Sequence, residues 1–250
     1  MGVSAGAPER RLGLIGCGRI GQPVVDAWQA GALPGWQVAG VLVRTPRGTA
    51  CAGWTTEADA FFAQPYDLIL ETAGPQALAR HGTRALAASD VWSVSAAALA
   101  DADLHAALAT AGHAAGHRLR LVSGAIAGLD GVAMAAVDPQ ADLQLDIDLP
   151  PGPEPAGAVF AGPVREGALR FPNQLNVAVA AALAGPGLDR ARLVVRRPGP
   201  VPAHRLALHA AGRFGTVEAA VVPRVGPGVH PVAASLIANL RRELQVVWAG

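Results

Sequence analysis

Three groups of residues in this chain have types and spacings that could do chemistry. Gly16-Cys17-Gly18-Arg19-Ile20-Gly21 reads GxGxxG, directly after a short apolar run and at the opening of a helical one. In that setting the first glycine permits a tight turn and the second lets the backbone approach a pyrophosphate. The third lets the helix pack closely on the strand, with the anion on the helix N-terminus. With 30 glycines in the chain the motif alone is weak, and its place between strand and helix is what predicts dinucleotide binding over a merely glycine-rich turn. Second, Val43-Arg44-Thr45-Pro46-Arg47 ends the next apolar run without the acid that would accept from the ribose 2′-OH of NAD. Arg44 suits a 2′-phosphate through charge-assisted contact, which favours NADP modestly over NAD; stacking on adenine or facing solvent are its other readings. Third, His204 follows the Pro-rich stretch 198–202 and opens a strand, where its side chain could face a cleft. An imidazole with an ordinary pKa of about 6.5 can give or take a proton near neutral pH.

Composition removes other chemistries. All 20 basic residues are arginine, so Schiff-base and pyridoxal phosphate chemistry and a Walker A loop lack their lysine. Tyr66 is the one tyrosine, and a Tyr-Lys pair is excluded with it. A formal net charge of +1 and the lack of an Arg-rich run argue against a nucleic-acid partner. Cys17 and Cys51 make no disulfide framework and have no metal-ligand spacing, so no metal site and a cytoplasmic location are expected. Residues 1–11 do not read as a signal peptide or anchor, and no apolar run has the roughly 18 to 20 residues that span a membrane. His81, His105, His113 and His117 fall on or beside helices outside the expected sheet and read as solvated.

The elements that must position these groups alternate. Strands are expected at 12–15, 36–43, 66–72, 91–95 and 118–122, with helices at 20–30, 56–63, 75–88 and 101–115 between them. Pro75 suits a first helical turn, and Asp101 and Asp103 suit a helix N-terminus. This succession predicts an α/β fold, a Rossmann-type doubly wound parallel sheet covered on both faces. After residue 123 the pattern changes. Residues 142–149 alternate like a strand with one wet face, 173–184 are apolar at helical length, and 192–197, 205–209 and 216–222 read as further strands. The end, 232–248, is an amphipathic helix with Leu236, Leu240, Leu244 and Val247 on one face. The expected division is a dinucleotide-binding domain at 1–122, joined by the helix of 230–250, and a second α+β domain at 123–229 for substrate and oligomerisation.

Later segments narrow the reading. Ser123-Gly124-Ala125-Ile126-Ala127-Gly128-Leu129-Asp130 follows the last strand of the first domain. Arg170-Phe171-Pro172-Asn173-Gln174-Leu175-Asn176-Val177-Ala178 leads into an Ala-rich helix, and Ala203-His204-Arg205-Leu206 precedes Gly212-Arg213-Phe214-Gly215. With Val94-Ser95 and Ala98-Leu99-Ala100-Asp101, their order and spacing resemble the L-aspartate dehydrogenase family from about residue 12 to the C-terminus. The resemblance implies oxidation of L-aspartate with NAD(P) to iminosuccinate, which yields oxaloacetate and ammonia or feeds NAD biosynthesis, in a homo-oligomer such as a dimer. It also implies that His204 is the catalytic histidine and that Asn176 and the Ala125–Ile126 backbone lie near the nicotinamide. The full cofactor set expected is Gly16, Gly18, Arg19, Ile20, Gly21, Arg44, Ala73, Ala125 and Asn176.

A dicarboxylate substrate needs cationic or amide partners, and Arg165, Arg170 and Arg205 lie near the relevant segments with no choice among them. The chain departs from the family at Pro202, where an asparagine is usual, and at Val232-Ala233-Ala234, where a Lys-Thr-Ser run is usual, with His230 just before. Ser95-Ala96-Ala97 also displaces a usual glycine. These departures bear on substrate, so an imine or semialdehyde reductase and a non-catalytic NADP-binding regulatory relative are the alternative readings.

Overall fold

Short, mainly apolar runs build the first sheet. The computed structural model describes residues 8–45, 53–122, 124–149, 157–197, 204–224 and 226–247. Strands β1 (Arg10–Ile15), β2 (Trp36–Leu42), β3 (Trp54–Thr55), β4 (Leu68–Glu71), β5 (Val91–Ser93) and β6 (Leu119–Leu121) form one sheet in the order β3-β2-β1-β4-β5-β6. Every pairing in it is parallel. Parallel strands are reached by crossovers, here α1 (Gly21–Gln29), α2 (Ala58–Phe62), α3 (Pro75–Ala88) and α4 (Ala102–Ala115), and those helices bury both faces. Thus all four residues of β4 are buried. Local chemistry sets the helix ends: Pro75 opens α3, and the Asp101 carboxylate accepts from the Asp103 and Leu104 amides at the start of α4. The end of α4 is Gly116 in the left-handed region, φ 72°.

The second sheet runs β11-β10-β7-β9-β8, from β7 (Asp142–Asp148), β8 (Gly157–Pro163), β9 (Arg192–Arg197), β10 (Arg205–Gly212) and β11 (Gly215–Val221). It is mixed, since β7 and β9 are parallel and the other pairs antiparallel. Alternation along β7 buries Leu143, Leu145 and Ile147 and leaves Gln144, Asp146 and Asp148 on the other face. Helices α5 (Leu129–Ala135), α6 (Val164–Arg170) and α7 (Asn176–Ala184) belong to this half. In α7 five successive residues, Ala178 to Ala182, are buried, so the helix has no wet face. Small side chains let it lie between α5, α6 and the 3₁₀ turn Ala96–Ala100 of the first half. The last helix, α8 (Pro231–Glu243), returns to the first sheet. Leu236 and Leu240 are fully buried with Leu12, Leu14, Val24, Val25, Trp36 and Trp92, and the Trp36 indole donates to the Leu240 carbonyl at 2.9 Å.

Several elements differ from expectation. Two-residue β3 carries no pattern of its own and exists through pairing with Val41 and Leu42. β8 is framed by prolines, and α5 and α6 carry Gly131 and Gly167 inside one or two turns, which masks their periodicity. Helix α8 stops at Glu243 instead of 248, with Leu244 as its C-cap. Val247, expected on the buried stripe, is 86% exposed because the helix has ended before it.

Candidate active site

The cleft opens at the C-terminal ends of β1 and β4, where the strand order reverses. In doubly wound sheets that reversal leaves a crevice, because successive crossovers depart to opposite faces. Gly16 has φ +96°, and a Cβ there would lie 2.6 Å from the Ala73 Cβ. At Gly21 a Cβ would strike the Gly16 carbonyl and come within 2.7 Å of Thr72 Oγ1. Thr72 Oγ1 itself donates to the Gly16 carbonyl at 2.9 Å, so loop, helix and β4 close on one another. Around Gly18 nothing lies within 4 Å of a Cβ position, which leaves its backbone open for close approach. The three glycines therefore match the three demands of a pyrophosphate loop, and these residues fit a dinucleotide.

Two adjoining cavities share Arg19, Ile20, Thr72 and Ala73 in their walls. The first, about 1130 Å³, runs from the glycine loop past Val43, Arg44 and Thr45 to Arg80 and His81. The second, about 650 Å³, is lined by Ser95, Ala125, Asn176, Arg197, His204 and His230 among others. Of the residues expected at the cofactor, Gly16, Gly18, Arg19, Ile20, Arg44 and Ala73 line the first cavity and Ala125 and Asn176 the second. Gly21 lies behind the loop, where it closes the turn instead of lining the cleft.

His204 precedes β10 and shares the inner face with Leu206 and Leu208, which is how it reaches the second cavity. Burial pushes its pKa below the ordinary histidine value, while the nearby Asp148 carboxylate pulls it back up. Its Nδ1 is sealed from solvent without a hydrogen-bond partner among the described residues. Asn176 accepts the Ala97 amide on Oδ1 at 2.9 Å, which leaves its NH₂ group as a donor for the cavity. His230 caps α8, its Nδ1 accepting from the Val232 amide at 3.3 Å, so the neutral ring carries its proton on Nε2. Its pKa is lowered by burial first, then by Arg19 and His204.

Other expectations change. Arg165 is engaged elsewhere, bidentate to Asp189 at 2.7 and 2.8 Å and donating to the Ala100 carbonyl. Arg170 stacks on Phe171, Arg205 is exposed, and neither lines the second cavity. The cations that do are Arg19 and Arg197, and Arg197 is only 6% exposed. In the strand expected at 192–197, the alternation that exposes Arg192 and Arg196 turns Arg197 inward. His81 lines the first cavity, half-buried, with burial and then Arg80 and Arg84 lowering its pKa. His117 is likewise half-buried, its Nδ1 2.7 Å from the Leu86 carbonyl. His105 and His113 are exposed. Glu71, missed at the end of an apolar strand, is fully buried beneath the cleft. Pro202, Arg47 and Ser123 lie outside the described residues. Among the described residues no group of three or more His, Cys, Asp or Glu could hold a metal, and no helix is long and apolar enough to cross a membrane.

Comparison with known proteins accords with this geometry. Residues 16–122 match the model for the NAD binding domain of homoserine dehydrogenase, and residues 121–243 the model for the aspartate dehydrogenase C-terminal region. L-aspartate dehydrogenase 1 of Bordetella pertussis is 36% identical, over 90% of this chain and 93% of its own length. L-aspartate dehydrogenase of Ruegeria pomeroyi is 37% identical over 93% and 92%. The crystal structure of aspartate dehydrogenase from Thermotoga maritima superposes with a TM-score of 0.79 over 97% of this chain and all of that one, at 20% identity, and so shares the fold. With both halves matched by family models and relatives of this identity aligned nearly end to end, the chain belongs to the L-aspartate dehydrogenase family.

Proposed function

We propose that the chain is an NAD(P)-dependent oxidoreductase of the CH–NH₂ group of L-aspartate, forming iminosuccinate that hydrolyses to oxaloacetate and ammonia, or running in reverse. The observation that carries this reading is the second cavity: it joins a half-buried histidine and a buried arginine to the end of a dinucleotide cleft. When bound, the nicotinamide supplies a hydride acceptor for the substrate Cα. The cofactor residues are Gly16, Gly18, Arg19, Ile20, Gly21, Arg44, Ala73, Ala125 and Asn176. Arg44, exposed at the mouth after β2, supports NADP over NAD, since a guanidinium can pair a 2′-phosphate and cannot accept from a 2′-OH.

Arg197, on the wall of the second cavity, is the cation placed to meet a substrate carboxylate through charge-assisted contact. With Nδ1 sealed, Nε2 is the His204 nitrogen that takes a proton from the amine and returns one when water adds to the imine carbon. A neutral histidine is the form able to begin this work, and burial maintains it. The division into 1–122 with 230–250 and 123–229 follows the two sheets and the return of α8. The face of the second sheet that no described helix covers is the surface proposed for a homodimer.

One observation favours a second reading. Val232 lines the second cavity, and its apolar side chain there suits a less charged substrate, as for an imine or semialdehyde reductase. Absorbance at 340 nm, followed with L-aspartate, with oxaloacetate plus ammonia and with small aldehydes and imines, decides between them. Turnover with aspartate, better with NADP than with NAD, is expected. His204→Ala should lower kcat by about two to four orders of magnitude with dinucleotide affinity unchanged. Wild-type kcat in that variant removes His204 from the mechanism, and dinucleotide binding without turnover on any substrate leaves a regulatory protein.

A further inference from the structure

Glu71 is a fully buried carboxyl that the mechanism above does not use. It ends β4, at the strand-order reversal, and the groups around it are donors. Its Oε1 accepts the amides of Ala73 at 2.8 Å and Gly74 at 2.9 Å. Its Oε2 accepts the Ser93 hydroxyl at 2.6 Å, and the Ser95 hydroxyl is a further partner. Ser93 Oγ meanwhile accepts the Ser95 amide at 3.0 Å, so its own proton is free to point at Glu71. What this network holds is the floor of the cleft. Ala73 belongs to both cavities, Gly74 and Ser95 to the second, and Gly74 keeps φ +113° with its own amide and that of Ala73 tied to one carboxyl.

We propose that Glu71 is a positioning residue for the nicotinamide end of the cofactor, which fixes the Ala73–Gly74 floor and, as a carboxylate beneath it, favours the oxidised, cationic ring over the reduced, neutral one. The inference rests on the reading that the two cavities take a nicotinamide dinucleotide end to end. Donors on both oxygens satisfy an ionised carboxyl, while a neutral acid would waste at least one of them. Burial is the larger influence and leaves the Glu71 pKa above the ordinary glutamate value, and the four hydrogen bonds counter it in part. A fixed negative charge in a poorly solvated floor acts on a ring that changes by one unit of charge during the reaction, and this difference biases binding between the two redox forms.

Glu71→Gln tests the charge with little change of shape. Its carbonyl oxygen can keep the Ala73 and Gly74 amides, and its NH₂ group can donate to the Ser93 and Ser95 hydroxyls, which rotate to accept. Dissociation constants of the oxidised and reduced dinucleotide are measured by calorimetry for wild type and variant. The oxidised form should bind about tenfold more weakly in the variant, with the reduced form changed much less, as expected for loss of one unit charge acting at reduced dielectric. Equal weakening of both forms, or no change in either, overturns the proposal. If Glu71→Gln does not fold, Ser93→Ala decides: removing one donor destabilises the carboxylate, so the same ratio should fall, and an unchanged ratio overturns the proposal. Wild type that binds neither form would instead remove the cofactor reading itself.

Discussion

At the scale of single residues, the site was legible where chemistry forces a residue type and obscure where only three-dimensional context does. The glycine loop could be read because a tight turn, an open backbone and a close helix each admit no side chain, and Gly16, Gly18 and Gly21 meet those conditions in turn. Arg197 and Glu71 could not, because nothing in a run such as Arg-Leu-Val-Val-Arg-Arg or Leu-Ile-Leu-Glu says that the terminal charge is buried. His204 stands between these cases: its place after a turn was readable, its sealed Nδ1 and the carboxylate of Asp148 were not. That carboxylate makes a prediction. As the base, His204 must be neutral, so kcat/KM for amine oxidation should fall on the acid side as the ring protonates, with a midpoint below the ordinary histidine value of about 6.5. Asp148 favours the charged ring, so Asp148→Asn should move that acid limb to still lower pH. The pH profile of kcat/KM checks it, and a limb that moves upward or stays in place excludes the coupling.

At the scale of elements, most strands and helices of the first sheet were readable because parallel strands buried on both faces leave short, mainly apolar runs, with helical stretches between them. The elements that escaped are those whose existence depends on partners: β3 on the edge of β2, β8 on β9, and short α5 and α6 on the sheet beneath them. Helix α8 was readable as amphipathic, and the structure adds what its stripe is for. Leu236 and Leu240 complete the apolar core around Leu12, Val24 and Trp36, so the last helix is part of the dinucleotide-binding unit in packing terms. Leu240→Ala should therefore destabilise the protein by about 2–5 kcal/mol, the range for a buried leucine whose cavity cannot collapse. Because Leu240 also sets the distance of the Trp36 indole from its carbonyl acceptor, chemical denaturation followed by tryptophan fluorescence is a suitable probe. A loss under 1 kcal/mol would mean that α8 is only laid against the sheet.

At the scale of the whole molecule, one face of the second sheet is uncovered by any described helix, and its pattern suits a second copy of the chain. Register places Val194, Asp146, Ala207 and Ala220 in one row across β9, β7, β10 and β11. The neighbouring rows carry Arg196, Asp148 and Arg205 on one side and Arg192, Gln144, His209 and Glu218 on the other. Asp146 is neutralised within the chain by Arg196 at 2.5 Å, which leaves a centre of small and apolar side chains between rows bearing both signs. An isologous interface must complement itself about a two-fold axis, and a patch with apolar residues at its middle and mixed charge around them can do so. A dimer is therefore expected in sedimentation equilibrium. Ala207→Arg puts bulk and charge at the centre of the patch on the outward face, where the monomer has room for it. The variant should sediment with half the wild-type mass and keep its circular dichroism and dinucleotide binding, since Ala207 is outside both cavities. A wild-type monomer, or a variant that remains dimeric, would show that this face is simply the wet side of the sheet.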